Sequence, residues 1–584
     1  MRYLRMLSNS IAGAAVAVAY LEILILLLNP ELSLRPLRLW SLFVALAMLY
    51  GPAFGLLFYV LMVLRQLVWF EPRPPSWVSA GAITWLSTIA ASTAAALMWL
   101  NRRTFGAMLL DDTTRRLTTA AAWLTTCAGL FLVLALVHYS FGRRGGRVGG
   151  TLVVLTLIAS ISLPVAARGP GQPAGGSPYR AEATPALAVN PPKSRVVMIL
   201  LDGASLAFVS DAAAGGRLPN LGRILDGGVA MHLSTLRPTQ PGPVWAAVAT
   251  GKLPARNGVR SAARCRARNG EAFEVLPDFC FSHALVRFGL VEEVPNTSAS
   301  LRARPVWDIL SDLGISVGIV AWPLSHPVQP VRGFLVSDQL HQASELPLGA
   351  ADSPAVYPAD AAVIARTAIE TIQAGLATGM ASASTLNQTP LLRDLVSTDA
   401  IYEQVWTQLR ASFAPQLTAV RFRSLDAAGH RYLRYAMPAA FGDVTDEERR
   451  AYGQVLASAY SIIDAAVGRA LASLGPDDLL LVVSGFGMEP LTIGKRALER
   501  ALGDDALSGT HENAPEGFLL AYGAAVESAH GRRLRGALVD VVPTVLYFLG
   551  LPVARDMDGY ARADIFKGDF TETRPVTFIP TYER

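Results

Sequence analysis

The sequence predicts a two-part chain: an N-terminal α-helical transmembrane bundle of about five spans, followed by an α/β domain with a largely parallel central sheet. Three observations predict it. Residues 1–167 are dominated by Leu, Ala, Val, Ile, Phe and Trp, and most of their few charges fall between the apolar runs. Residues 168–192 are rich in Pro, Gly, Ala and Ser and hold little that can pack, the composition of a flexible tether. From Lys193 onward short apolar runs alternate with amphipathic helical stretches, the pattern of strands and helices layered on a mostly parallel sheet.

The spans read Ile11 to Leu28, Leu39 to Leu64, Trp77 to Leu100, Leu117 to Phe141 and Val148 to Ala167, each near the ~20 residues a bilayer core requires. The third, rich in Ala, Ser and Thr, is the least apolar. A cleaved signal peptide would account for the first span but not for four more. Arginines do not settle the orientation: Arg2, Arg5, Arg65, Arg73, Arg143, Arg144 and Arg147 fall on the N-terminal side, against Arg35, Arg38, Arg102, Arg103, Arg115 and Arg116 on the other. An odd number of spans after an Arg-bearing N-terminus places the α/β domain outside the cytoplasm. That placement would suit a disulfide between Cys265 and Cys280, although two lone thiols in a cytoplasmic domain are an equally ordinary finding.

At 584 residues the chain is too long for one compact core. Its formal charge of +5 needs no nucleic acid to explain it, because much of the excess is Arg at membrane edges. There is no internal repeat, no Gly-rich phosphate loop ending in Lys and Ser or Thr, and no Cys-based zinc pattern. Candidate strands are Val196 to Leu201, Ser316 to Ala321, Leu417 to Phe422 and Leu479 to Val483. Helical stretches lie around Leu218 to Asp226, Pro243 to Thr250, Val306 to Leu313, Asp399 to Ser412 and Thr445 to Leu474. The domain runs from 193 to about 570, with insertions near 260–300 and 342–388 that read as variable caps or loops, and 571–584 as a tail.

Ligands of such sheets bind beyond the carboxyl ends of the strands. Asp202-Gly203, Asp426-Ala-Ala-Gly-His430 and Ser484-Gly-Phe-Gly487 each follow a candidate strand; Thr510-His511 comes later, and Pro238-Thr-Gln-Pro-Gly-Pro-Val-Trp245 leads into Ala249-Thr-Gly-Lys252. With Leu218-Pro-Asn-Leu221, Arg304-Pro-Val-Trp307 and Met557-Asp558-Gly559, this set resembles the type I phosphodiesterase/nucleotide pyrophosphatase branch of the alkaline phosphatase superfamily. The resemblance covers nearly everything from Lys193 to about Phe566. It implies two zinc-type ions flanking a Thr or Ser nucleophile, one polarising the phosphoryl group and the other activating the hydroxyl.

Asp426, His430 and His511 match the first ion's ligands, a carboxylate and two imidazoles with one position left open. The second ion fares worse. Asp202 is present, but the loop's expected Asp and His are Gly485 and Phe486, which cannot bind a cation, and Pro241 stands where the nucleophile should. Thr239 keeps an alcohol two residues earlier and is the residual candidate for a catalytic or orienting role. These losses belong together, since a hydroxyl without an activating metal is a weak nucleophile. What remains is at most one ion, zinc or a similar divalent metal, beside an Asp202 expected to be an uncompensated charge.

The expected function is therefore that of a pseudoenzyme: a membrane-anchored binding or assembly subunit with a phosphoester hydrolase fold. The alternative is a single-metal phosphodiesterase or phosphotransferase acting on envelope lipid or polymer phosphodiesters. The order of spans and domain also looks like that of membrane-bound phosphoethanolamine transferases and lipoteichoic acid synthases. That likeness makes phospholipids or envelope polymers the expected ligands, besides possible protein partners.

Overall fold

The computed structural model describes residues 1–69, 75–141, 146–170, 193–340, 355–377, 390–501, 503–504, 506–528 and 533–583. They form two compact units, one of residues 1–178 together with 260–295, the other of 179–259 together with 296–584. The tether read at 168–192 lies outside the described residues from 171 onward.

In the first unit five helices follow one another: α1 (Arg2–Leu28), α2 (Pro36–Trp69), α3 (Ala80–Phe105), α4 (Asp111–Phe141) and α5 (Gly146–Arg168). Each covers most of the apolar run that announced it and extends past it at one end or both, although α3 begins at Ala80, three residues after the start read at Trp77. The Ser79 hydroxyl accepts from Ala82 N at the start of α3, and Asp111 and Asp112 place negative charge in the first turn of α4, the favourable end of the helix dipole. Helix α1 packs on α2, α3 and α5, and α4 bridges α3 and α5. Arg168, assigned to the tether from composition, is instead buried at the end of α5. Its guanidinium donates to the carbonyls of Leu26, Asn29, Pro30 and Leu32, satisfying acceptors at the C-terminus of α1 that would otherwise lack partners. Six helices among the described residues are long and apolar enough to cross a membrane, and five of them are α1 to α5. The sixth, Asp446–Ala472, joins the helices Asp446–Tyr452 and Val455–Ala472 of the α/β domain, and the apolar residues of the second enter its core.

The first insertion, residues 260–295, belongs to this helical unit and not to a loop or cap of the α/β domain. It forms a small antiparallel sheet of Ala263–Ala267, Ala272–Phe273 and Val291–Pro295 with the short helix Ala284–Arg287. Its apolar residues Cys265, Ala267, Phe273, Leu285 and Val291 share a core with Val18, Leu21, Ile25, Leu42 and Leu46 of α1 and α2. Cys265 and Cys280 are both free thiols, so the two are not joined. Burial, and next the neighbouring Glu293, push the Cys265 thiol up to about 12, which keeps it protonated and inert.

The second unit is built on a nine-stranded sheet. Its order is Arg533–Ala537, Val229–Ser234, Glu516–Tyr522, Leu479–Phe486, Val196–Leu201, Leu417–Phe422, Val317–Trp322, Gly333–Ser337 and Val356–Tyr357. The strands run parallel except Glu516–Tyr522 and Val356–Tyr357. Val196–Leu201, VVMILL, is buried along its whole length, as expected of a strand covered on both faces. The second insertion contributes the edge strand Val356–Tyr357 and the helix Ala359–Ala377; its remaining parts lie outside the described residues. The last residues are no loose tail. Phe578–Ile579 pairs with Val553–Ala554, and the buried Lys252 ammonium holds both Asp556 and Glu583 at 2.7 Å.

Candidate metal centre

The site stands at the carboxyl ends of the central strands, and one helix builds half of it. Ser424–Ala436 starts two residues after the strand Leu417–Phe422, and its first amides, those of Arg423 and Ser424, donate to the buried Asp399 carboxylate at 2.9–3.1 Å. Burial raises the Asp399 carboxyl to about 6 despite those bonds. Asp426 and His430 are one helical turn apart, so they share a face, with His430 Nε2 3.6 Å from Asp426 Oδ2. His511 arrives from the other side, immediately after the short strand Gly509–Thr510, its ring centroid 5.1 Å from that of His430.

Both imidazoles are oriented in the same way. His430 Nδ1 donates to Gly509 O and His511 Nδ1 to Thr239 O, each at 2.9 Å. With Nδ1 engaged as the donor, Nε2 is the ring nitrogen left for a ligand, the arrangement that metal-binding histidines adopt. Asp426 Oδ1 is buried without a hydrogen-bond partner, which is costly unless a cation meets it. Burial, with Asp202 adding to it, lifts the Asp426 carboxyl above its usual range, while His430, His511 and Arg421 oppose the shift. One ligand atom from each of the three residues lies within 4.8 Å of the others. This donor set fits one divalent ion of the zinc type.

The residues predicted for a second ion are brought to the neighbouring position but are fully engaged. Asp202 is 2% exposed and is not an uncompensated charge. Arg421 Nε lies 3.1 and 3.0 Å from its two oxygens, Arg421 Nη2 also donates to Oδ2, and Trp245 Nε1 donates to Oδ1 at 2.6 Å. The expectation of a bare carboxylate fails because the adjacent strand supplies a guanidinium that pairs with it. Burial works against the Arg421 charge, but Asp202, and less strongly Asp338 and Asp426, hold its pKa above the ordinary value.

The other positions expected to serve a second ion are closely packed as well. A Cβ at Gly485 would lie 2.2 Å from Val244 Cγ1, so valine takes the space a side chain there would need. The buried Phe486 ring packs 5.0 Å from that of His511. Ser484 Oγ sits between the carbonyls of Ala204 and Phe486 at 3.1 and 2.9 Å. Pro241 opens the helix Pro241–Thr250, where its missing N–H costs nothing. Thr239 is 1% exposed, and its hydroxyl donates to Leu236 O at 2.7 Å. It reaches the metal residues through its carbonyl, as the acceptor for His511, and its alcohol is not presented to a ligand.

Arg421 and Asp399 therefore belong to the site although no motif marks them, and Val244 and Trp245, quoted above only as part of the stretch that leads into Ala249, join it as the neighbours of Gly485 and Asp202. The signal for Arg421 was visible as the single charge in the strand LTAVRF, which is buried at every position.

A family model described as type I phosphodiesterase/nucleotide pyrophosphatase matches residues 196–532, more than half of the chain. Among solved structures, murine ectonucleotide pyrophosphatase/phosphodiesterase 5 is similar at 13% identity, in an inactive variant bound to AMP (TM-score 0.39) and in another structure of the same protein (TM-score 0.38). Each match covers 64% of this chain and 100% of the murine one. No curated protein matches.

Proposed function

The chain belongs to the type I phosphodiesterase/nucleotide pyrophosphatase family, and from that premise we propose that it is a membrane-anchored binding or assembly subunit that keeps one divalent cation and has lost phosphoryl transfer. The observation that carries this reading is the Arg421–Asp202 pair. A fixed guanidinium takes the electrostatic place of the second ion, and it cannot lower the pKa of an attacking hydroxyl as a metal does. No such hydroxyl is at hand: position 241 is proline, and the alcohols of Thr239 and Ser484 are bonded to backbone carbonyls.

The ion, zinc by donor chemistry, would be held by Asp426, His430 and His511. Bound there, it supplies a Lewis acid that attracts a phosphate oxygen. The chain's own residues orient the imidazoles through Gly509 and Thr239 and keep Asp202 neutralised. With five membrane-length helices on the same chain, the ligand class proposed is the phosphodiester of an envelope lipid or polymer, bound on the extracytoplasmic side. The single-metal hydrolase is the second reading, because Asp426 and His430 are both partly exposed, so solvent reaches the residues that would hold the ion.

The test uses the zinc-loaded full chain in detergent, with a phospholipid and a chromogenic phosphodiester as probes. Saturable binding without turnover above that of His430→Ala is expected. Turnover that His430→Ala abolishes contradicts the proposal in favour of the single-metal hydrolase.

A further inference from the structure

The insertion that leaves the α/β sequence at Arg260 and returns at Asn296 is fastened to the ends of the membrane helices by side chains that read its backbone. Asn29, the residue that ends α1, donates to Val275 O at 2.8 Å and accepts from Val275 N at 2.8 Å and Glu274 N at 3.1 Å. Asn101, in the last turns of α3, accepts from Asp278 N at 2.7 Å and donates to Asp278 O at 3.2 Å. The Tyr50 hydroxyl of α2 donates to Cys280 O at 2.8 Å. Arg260 donates to Leu28 O and pairs with Glu31 and Glu274. Residues 274–278 are thus held where α1 and α3 end, and Cys280 meets α2 at Tyr50, about four turns inside that helix, so for helices of this length the segment runs from the headgroup boundary toward the hydrocarbon.

At that level the chain turns three phenylalanines outward. Phe279, Phe281 and Phe288 are 57%, 72% and 60% exposed. Phe279 and Phe281 have left-handed backbone, with φ of 65° and 56°, a conformation that costs a bulky residue free energy with no packing inside the protein to offset it. The segment lies against α2 and α3, through Tyr50, Asn101 and the contacts of Ala284–Arg287 with α2. Those helices carry exposed apolar residues of their own, Trp40, Val44 and Met48 on α2 and Trp99 and Leu100 on α3, and the indoles match the aromatic belt of a membrane interface.

We propose that residues 277–290 form a wedge that inserts Phe279, Phe281 and Phe288 into the lipid leaflet adjoining the ends of α1 and α3. The occupant of the patch is lipid, because the segment that carries the rings is fastened to α2 and α3, membrane-length helices with exposed apolar residues of their own. The chain of the α/β domain then joins this inserted segment at both of its ends, Val259–Arg260 and Pro295–Asn296. This anchoring is independent of the metal centre and of any turnover there.

The experiment reconstitutes the full chain carrying Phe281→Trp, and separately Phe288→Trp, in phosphatidylcholine nanodiscs with or without chain-brominated lipid. The emission of the parent protein, which has 10 tryptophans, is subtracted. The added indole is expected to emit at short wavelength, to lose most of its emission to brominated lipid and to keep it in acrylamide. Quenching by acrylamide but not by brominated lipid would place the rings in water and overturn the proposal. Resistance to both would mean that protein covers them, a second copy or another chain, and would overturn it equally. Concordance of the two positions guards against a local folding defect in either variant.

Discussion

The two halves of the centre sit side by side at the same strand ends and have gone opposite ways. On one side Asp426, His430 and His511 are held open, each imidazole fixed by a backbone carbonyl and one carboxylate oxygen left without a partner. On the other, Asp202 is closed by Arg421 and Trp245, and Val244 fills the space beside Gly485. An unsatisfied buried acceptor marks a place where something binds, whereas a fully satisfied one marks a place where binding has ended. The surroundings of Asp202 and Gly485 leave no void and are packed as core.

The largest effect that would break this comparison is expected at the closed half. Arg421→Met strands Asp202 as a buried unpaired charge, and denaturation of the full chain should show a loss of about 3–5 kcal/mol. The double variant Arg421→Met with Asp202→Asn should recover most of that loss. If Arg421→Met alone leaves stability unchanged, the guanidinium is not the replacement cation.

Next comes the retained half. Zinc at 100-fold above its Kd should raise the stability of the parent chain by about 2.7 kcal/mol, and His430→Ala should abolish that increment while changing the metal-free protein little. An increment that survives in His430→Ala would detach the ion from this triad.

A smaller effect sharpens the comparison. Restoring the family's ligands with Gly485→Asp and Phe486→His should not create a second ion site, because the new Cβ collides with Val244. The expected result is a loss of about 1–3 kcal/mol from overpacking, with metal content unchanged. Gain of an ion in the double variant would show that the second half is only vacant. The smallest effect is expected from Thr239→Val, which removes one hydrogen bond to Leu236 and should cost about 1 kcal/mol, leaving metal content and any turnover as they were. A fall in turnover would return the Thr239 alcohol to a direct role.

Much of the fold was legible because it is local. Val196–Leu201 and Leu417–Phe422 run between the same residues in sequence and structure, since apolar runs ended by turn residues define their own limits. The stretch Thr445 to Leu474, read as one helix, divides into Asp446–Tyr452 and Val455–Ala472 around Gly453, a poor helix former that periodicity alone passes over. The retained ligands were legible from spacing, as Asp426 and His430 are one turn apart. The partner of Asp202 was not, because Arg421 lies 219 residues away in sequence and meets it only through strand pairing. The insertion was misjudged for the same reason. Nothing local in residues 260–295 announces that Asn29, Tyr50 and Asn101 will hold it.

The most direct test of one open half beside one closed half is the metal content of the full chain in detergent, by elemental analysis, beside His430→Ala. The full chain is the proper sample, because residues 260–295 share a core with α1 and α2. One divalent ion per chain, lost in His430→Ala, is the predicted result. Two ions per chain would contradict the closure of the second half, and none would contradict the openness of the first.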